Sequence, residues 1–145
     1  MGFKSFEMKF ITTLLMFALF GNNVFAQTDL DDLLETRWIL NLQDGSVPVE
    51  DLEQLNFVTV DSPITEGLHM QFRYGGLTFK PNGLLIVHVW NKCGTGNPPN
   101  HYDAHWELIT NTENTVLVIS DTHQWEGKYF VQFVSPDLLK LSRIE

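Results

Sequence analysis

The chain has 145 residues, with 18 Asp and Glu against 9 Lys and Arg and a formal net charge of −9. So acidic a balance, without a basic run anywhere, argues against non-specific nucleic-acid binding and against adsorption to anionic membrane surfaces. A single cysteine, Cys93, excludes an intramolecular disulfide, so a domain of this length must stand on its apolar core.

The first 26 residues carry the three parts of an export signal in order. Basic Lys4 and Lys9 come first, then the apolar run Phe10 to Phe20, then Val24-Phe25-Ala26, a junction acceptable to signal peptidase. The run is too short to span a bilayer, which takes roughly 20 residues, and it is apolar nearly all round rather than along one stripe. It therefore reads as a signal core, with Met8 as a second possible start. No cysteine lies near the cut, so lipid attachment there is excluded and the mature chain is expected to be soluble, without membrane insertion. The expected organisation is a signal peptide over 1–26 and one exported domain over 27–145, periplasmic or secreted. Removing Lys4, Lys9 and Glu7 takes that domain to a net charge of −10.

The mature part opens with Thr28-Asp29-Leu30-Asp31-Asp32-Leu33-Leu34, which predicts a short helix. Thr28 caps it, acids occupy its first turn, and Leu30, Leu33 and Leu34 share one face. The acids Asp29, Asp31, Asp32 and Glu35 are explained as helix-start charges rather than as a catalytic pair. From Arg37 the period is mostly two. Strands are expected at 37–42, 57–60, 68–74, 76–80, 84–91, 104–110, 115–120, 128–134 and 138–143. They are bounded by Gly75-Gly76, Pro81-Asn82-Gly83, Asn111 to Asn114, Glu126-Gly127 and Ser135-Pro136-Asp137. Residues 49–55, with Leu52 and Leu55, suggest a second short helix. The fold class expected is mainly β: an antiparallel up-and-down meander closed into a barrel of about eight strands, which removes every sheet edge.

Four segments carry a resemblance. They are Leu34-x-x-x-Trp38-x-Leu40, the hairpin Leu77-Thr78-Phe79-Lys80-Pro81-Asn82-Gly83, His105-Trp106-Glu107-Leu108, and Tyr129-x-Val131 running to Ser135-Pro136-Asp137-x-Leu139-x-Leu141. In this order they resemble the lipocalin-like domains of small exported bacterial proteins, calycin-type barrels. The resemblance implies architecture more than activity. It also implies that Trp38 closes one end of the barrel with a basic residue near the C-terminus, here Arg143, stacked on it.

An eight-stranded barrel has room inside for side chains or for one small ligand. Type I turn geometry at Pro81-Asn82-Gly83, with Gly as the bulge residue, pairs Phe79 with Leu85 and turns Leu85, Val87 and Val89 inward. A two-residue loop would instead turn Ile86 and His88 in. With the first register preferred, the expected ligand-pocket lining is Trp38, Phe79, Leu85, Val87, Trp106, Leu108, Tyr129 and Val131. That lining suits a small hydrophobic ligand.

No nucleophile elbow, phosphate loop or nucleotide fingerprint is present, so neither catalysis nor a cofactor is expected. Cys93, His101, Asp103 and His105, with His88 upstream, form the only grouping with metal-ligand character. On a strand His101, Asp103 and His105 would share one face. The Gly, Asn and Pro of 94–100 and the lack of tight ligand spacing leave the metal assignment at none. Two functions are open: a binding module for an apolar or amphipathic molecule, and an interaction domain with a filled core. Both faces of 84–90 are apolar, so whichever set faces out needs a cover.

Overall fold

The computed structural model of the protein describes residues 31–90 and 100–145, apart from the Phe133 side chain. The expected export signal with its cut after Ala26, the first residues of the expected opening helix, and Cys93 lie outside the described residues. Within them, residues 31–33 are helical.

Eight strands follow: β1 (Arg37–Leu40), β2 (Gln54–Thr59), β3 (Gly76–Phe79), β4 (Leu84–Val89), β5 (Asn100–Thr110), β6 (Thr115–Ser120), β7 (Gly127–Val134) and β8 (Leu138–Ile144). All pair antiparallel, and they close into a barrel in the order β1-β2-β8-β7-β6-β5-β4-β3. The mainly β, eight-stranded closed barrel expected from the sequence is the fold.

Alternation along each strand sorts the side chains. Leu77 and Phe79 lie opposite Val87 and Leu85, Leu117 opposite Tyr129, Leu55 opposite Leu141 and Phe57 opposite Leu139. All ten are buried and together make the inner layer. At roughly 1.5–3 kcal/mol for each large apolar side chain removed from water, this layer is the main source of stability. The Phe79 to Leu85 pairing is the register of the bulged hairpin. The turn itself is not type I, because Asn82 (φ 66°, ψ 24°) and Gly83 (φ 77°) are both left-handed. Asn tolerates that region better than most residues, and Lys80 N–H still donates to Leu84 O at 2.8 Å, so the register survives.

One connection departs from a simple meander. β1 lies between β2 and β3 and is antiparallel to both. Residues 60–75 must therefore return from the end of the barrel where β2 finishes to the opposite end, where β3 starts. They do so through a 3₁₀ turn at Pro63–Gly67 and a helical turn, α1 (Met70–Arg73). The strand expected at 68–74 is thus absent. Leu68, extended just before α1, and Phe72 within it are both buried, and His69 caps α1 by accepting a hydrogen bond from Gln71 N–H at 3.3 Å. Because α1 packs on β1, the outward pair Ile39 and Val58 is covered, at 0% and 4% exposure. The helix expected at 49–55 shrinks to a 3₁₀ turn at Val49–Asp51, since Leu55 and Phe57 alternate inward as the start of β2.

Candidate functional site

The barrel has two differently built ends. At the first, Trp38 of β1 is fully buried and donates its Nε1–H to Leu33 O at 3.0 Å. Glu35 (φ 60°) turns the chain there, its N–H bonding Phe79 O at 2.9 Å and its carboxylate pairing with Lys80. Glu35 is thus an ion-pair partner beyond the helix end rather than a helix-start charge. Phe79 packs edge-on against Trp106, with centroids 5.5 Å apart, and Trp106 donates to Lys80 O and Leu84 O at 2.9 and 3.0 Å. Both indole N–H groups at this end have acceptors.

Arg143 is not at that end, contrary to what the family resemblance implies. Trp38 lies opposite Thr59 at the finish of β2, whereas the Arg143 N–H bonds Glu53 O just before its start, about 20 Å away along the strand. The cause is the 60–75 connection, which reverses the direction of every later strand and brings β8 out at the other end. There the Arg143 guanidinium lies 5.0 Å from the Tyr129 ring centroid and donates to Leu52 O and Glu126 O at 3.4 and 3.2 Å. Burial raises the Tyr129 hydroxyl above its ordinary pKa, opposed by the nearby Arg143 charge. The hydroxyl donates to Trp125 O at 2.7 Å.

Trp125 closes this second end. It is 2% exposed, its ring lies 5.7 Å from that of Phe57, and its backbone N–H donates to the buried Thr122 Oγ1 at 3.0 Å. Among the described residues neither its Nε1–H nor Arg143 Nη2, both buried, has a hydrogen-bond partner. A stranded buried donor costs about 1–3 kcal/mol, so this end is less well satisfied than the first.

Beside Trp125 lies a concavity of about 210 Å³. Leu40, Phe72, Val89, Trp90 and Trp125 supply its apolar wall, and Gln71, Gln124 and His88 its polar points. Gly75 and Gly76 form part of the wall because nothing larger fits: a Cβ on Gly75 would lie 2.6 Å from Gln71 O, and one on Gly76 (φ 122°) would run into Trp38 O. Arg37 pins this stretch by donating to Tyr74 O at 2.7 Å and to Gly75 O at 3.0 and 3.3 Å. His88 Nε2 is 3.0 Å from Thr78 Oγ1. Burial, then the Arg37 and His101 charges, push the His88 pKa down to about 4, so it is neutral at pH 7.

None of the eight residues expected as pocket lining borders this concavity. Trp38, Phe79, Leu85, Val87 and Tyr129 are packed inside the barrel, fully buried. Trp106, Leu108 and Val131 lie opposite Ile119, Leu117 and Leu141 on the same inner face but remain half-buried. A second concavity, about 440 Å³ and shallow, lies outside the barrel among Glu50, Asp51, Leu52, Glu53, Ser142, Arg143 and Glu145. Sequence reasoning did not single out Trp125, Phe72 or Trp90; their residue type was the only signal.

His101, Asp103 and His105 do share one face of β5, exposed on the outside. His105 is engaged with Asp121 at 2.6 Å, and the His88 and His101 rings are 6.5 Å apart. Among the described residues no group of three or more His, Cys, Asp or Glu side chains is placed to hold a metal ion. Nor, among those residues, is any helix long and apolar enough to cross a membrane.

No protein-family model, curated protein or solved structure matches the chain.

Proposed function

We propose that this chain is an exported, lipocalin-like binding module that takes a small apolar or amphipathic molecule at its Trp125 end. The observation that carries the reading is the concavity walled by Phe72, Trp90 and Trp125, with two glutamines and a neutral His88 at its edge. An apolar recess with a few polar points is the usual form of a small-molecule site, and at about 210 Å³ this one is below the roughly 300–1,000 Å³ of drug-sized sites. Its occupant is correspondingly small: a one- or two-ring compound or a short acyl chain. The middle of the barrel is a poorer candidate, because Trp38, Phe57, Phe79 and Tyr129 are packed there and an eight-stranded barrel has little room to spare. The export signal places the module outside the cytoplasm. No enzymatic role, cofactor or nucleic-acid partner belongs to this reading.

Titration of the purified protein with short fatty acids, aromatic alcohols and hydrophobic dyes, followed by Trp fluorescence and melting temperature, tests it. Binding that weakens on Trp90→Ala supports the site. Silence across the panel, or binding indifferent to Trp90→Ala, refutes it. The filled-core interaction domain is favoured by a separate observation, an apolar strip on the outer wall that none of the described residues covers.

A further inference from the structure

Outward-facing residues on β5, β6 and β7 form two aligned rows. One is Ile109, Val116, Phe130; the other is Glu107, Val118, Lys128. Ile109 is 46% exposed and Phe130 38%, while Val116 and Val118 are half-buried. Exposed apolar groups in a contiguous strip mark contact surfaces more often than scattered ones do. Among the described residues no helix or loop covers this strip as α1 covers Ile39 and Val58. Glu107 and Lys128 flank Val118 on either side, about 10 Å apart across three strands, and neither makes an ion pair among the described residues.

We infer that this face is the contact between two copies of the chain. The pattern is self-complementary about a twofold axis running along β6 between two facing sheets. Such an axis lays β5 of one copy over β7 of its partner and leaves each row level with itself. Glu107 then meets the partner's Lys128, and Lys128 meets the partner's Glu107. Ile109 meets the partner's Phe130, and the valines of β6 face each other. A twofold contact requires one surface to match itself in this way, and facing sheets accommodate it at their usual spacing of about 10 Å. A mixed-sign pair at the edge of an apolar strip also opposes wrong registers, which would bring like charges together.

The contact is weak. A face three strands wide lies at or below the small end of the roughly 1,200–2,000 Å² buried in stable complexes, and the net charge of each copy opposes approach. Dimerisation is therefore expected at high micromolar concentration and above. It is independent of the ligand site, which lies at the end of the barrel.

Sedimentation of the purified protein up to roughly 1 mM tests the inference. A monomer–dimer equilibrium is expected. Glu107→Lys or Lys128→Glu alone should raise the dissociation constant roughly tenfold, because each turns two attractive pairs into repulsive ones. The double exchange should restore it. Ile109→Lys should abolish the dimer with the melting temperature unchanged, since its side chain is half in solvent. A monomer at every concentration, a dimer indifferent to these changes, or a double exchange no better than either single one would overturn the inference.

Discussion

At one end of the barrel Trp38 is fully buried and donates to Leu33 O. At the other, Trp125 is just as buried, yet its Nε1–H has no acceptor among the described residues and a recess opens beside it. The two tryptophans do similar sealing by area, so the difference lies in how their polar atoms are satisfied. A fully satisfied end contributes stability and has nothing left to offer a ligand. An end with stranded donors gives up some stability and retains hydrogen-bonding capacity.

The comparison breaks most directly at Trp38. Trp38→Ala should cost about 3–5 kcal/mol, read as a drop in urea midpoint, since it removes a large, fully buried side chain. An unchanged midpoint would mean that the first end is not the stabilising one.

Gly76→Ala should cost about 2–3 kcal/mol, combining a left-handed φ with a clash against Trp38 O. Because Gly76 also borders the recess, ligand binding should fall with it. A fully stable variant that has lost binding would separate the two ends further.

The indole N–H groups sharpen the contrast. Trp38→Phe leaves Leu33 O without its donor, whereas Trp125→Phe removes a donor that has no partner among the described residues. Trp38→Phe should therefore cost about 1 kcal/mol more than Trp125→Phe by thermal melts. Equal costs would show that the ends do not differ in polar satisfaction.

The smallest effect is that of pH. His88 has a folded pKa of about 4 against 6.5 unfolded, so the unfolded chain binds the extra proton first as pH falls. Its contribution to stability is complete above pH 6.5 and is lost as pH drops from 6.5 towards 4. With the ring partly in solvent, about 0.5–1 kcal/mol is expected after screening. Comparing urea midpoints at pH 7 and pH 5 checks this: His88→Gln should lose less than the parent over that window.

The strands from β3 to β8 were legible because alternation and turn residues agree there. Pro81-Asn82-Gly83, Asn111 to Asn114 and Ser135-Pro136-Asp137 all fall at observed reversals. The 60–75 connection was not legible, since Leu68 and Phe72 fit a two-residue period as well as a helical turn, and only packing on β1 decides between them. Arg143 was misplaced for another reason: the resemblance set it beside Trp38, whereas the expected strands, with 68–74 crossing the barrel, already give β8 the direction it has. The proposed site was hidden for a different reason. Phe72, Trp90 and Trp125 come from a helical turn, a strand exit and a loop, none of which carries a period that marks a wall.

The position of β1 between β2 and β3 also bears on how the chain assembles. β1 and β2 can pair early, and β3 to β8 can add one hairpin at a time, but the ring shuts only when β8 meets β2, Gln54 against Ser142. Pairings so distant in sequence form slowly, and until they form the outer strands present unsatisfied edges. On a chain made from its N-terminus, the closing strand β8 appears after the other seven. For as long as it is missing, β2 remains an open template for other chains, and β8 acts as the latch.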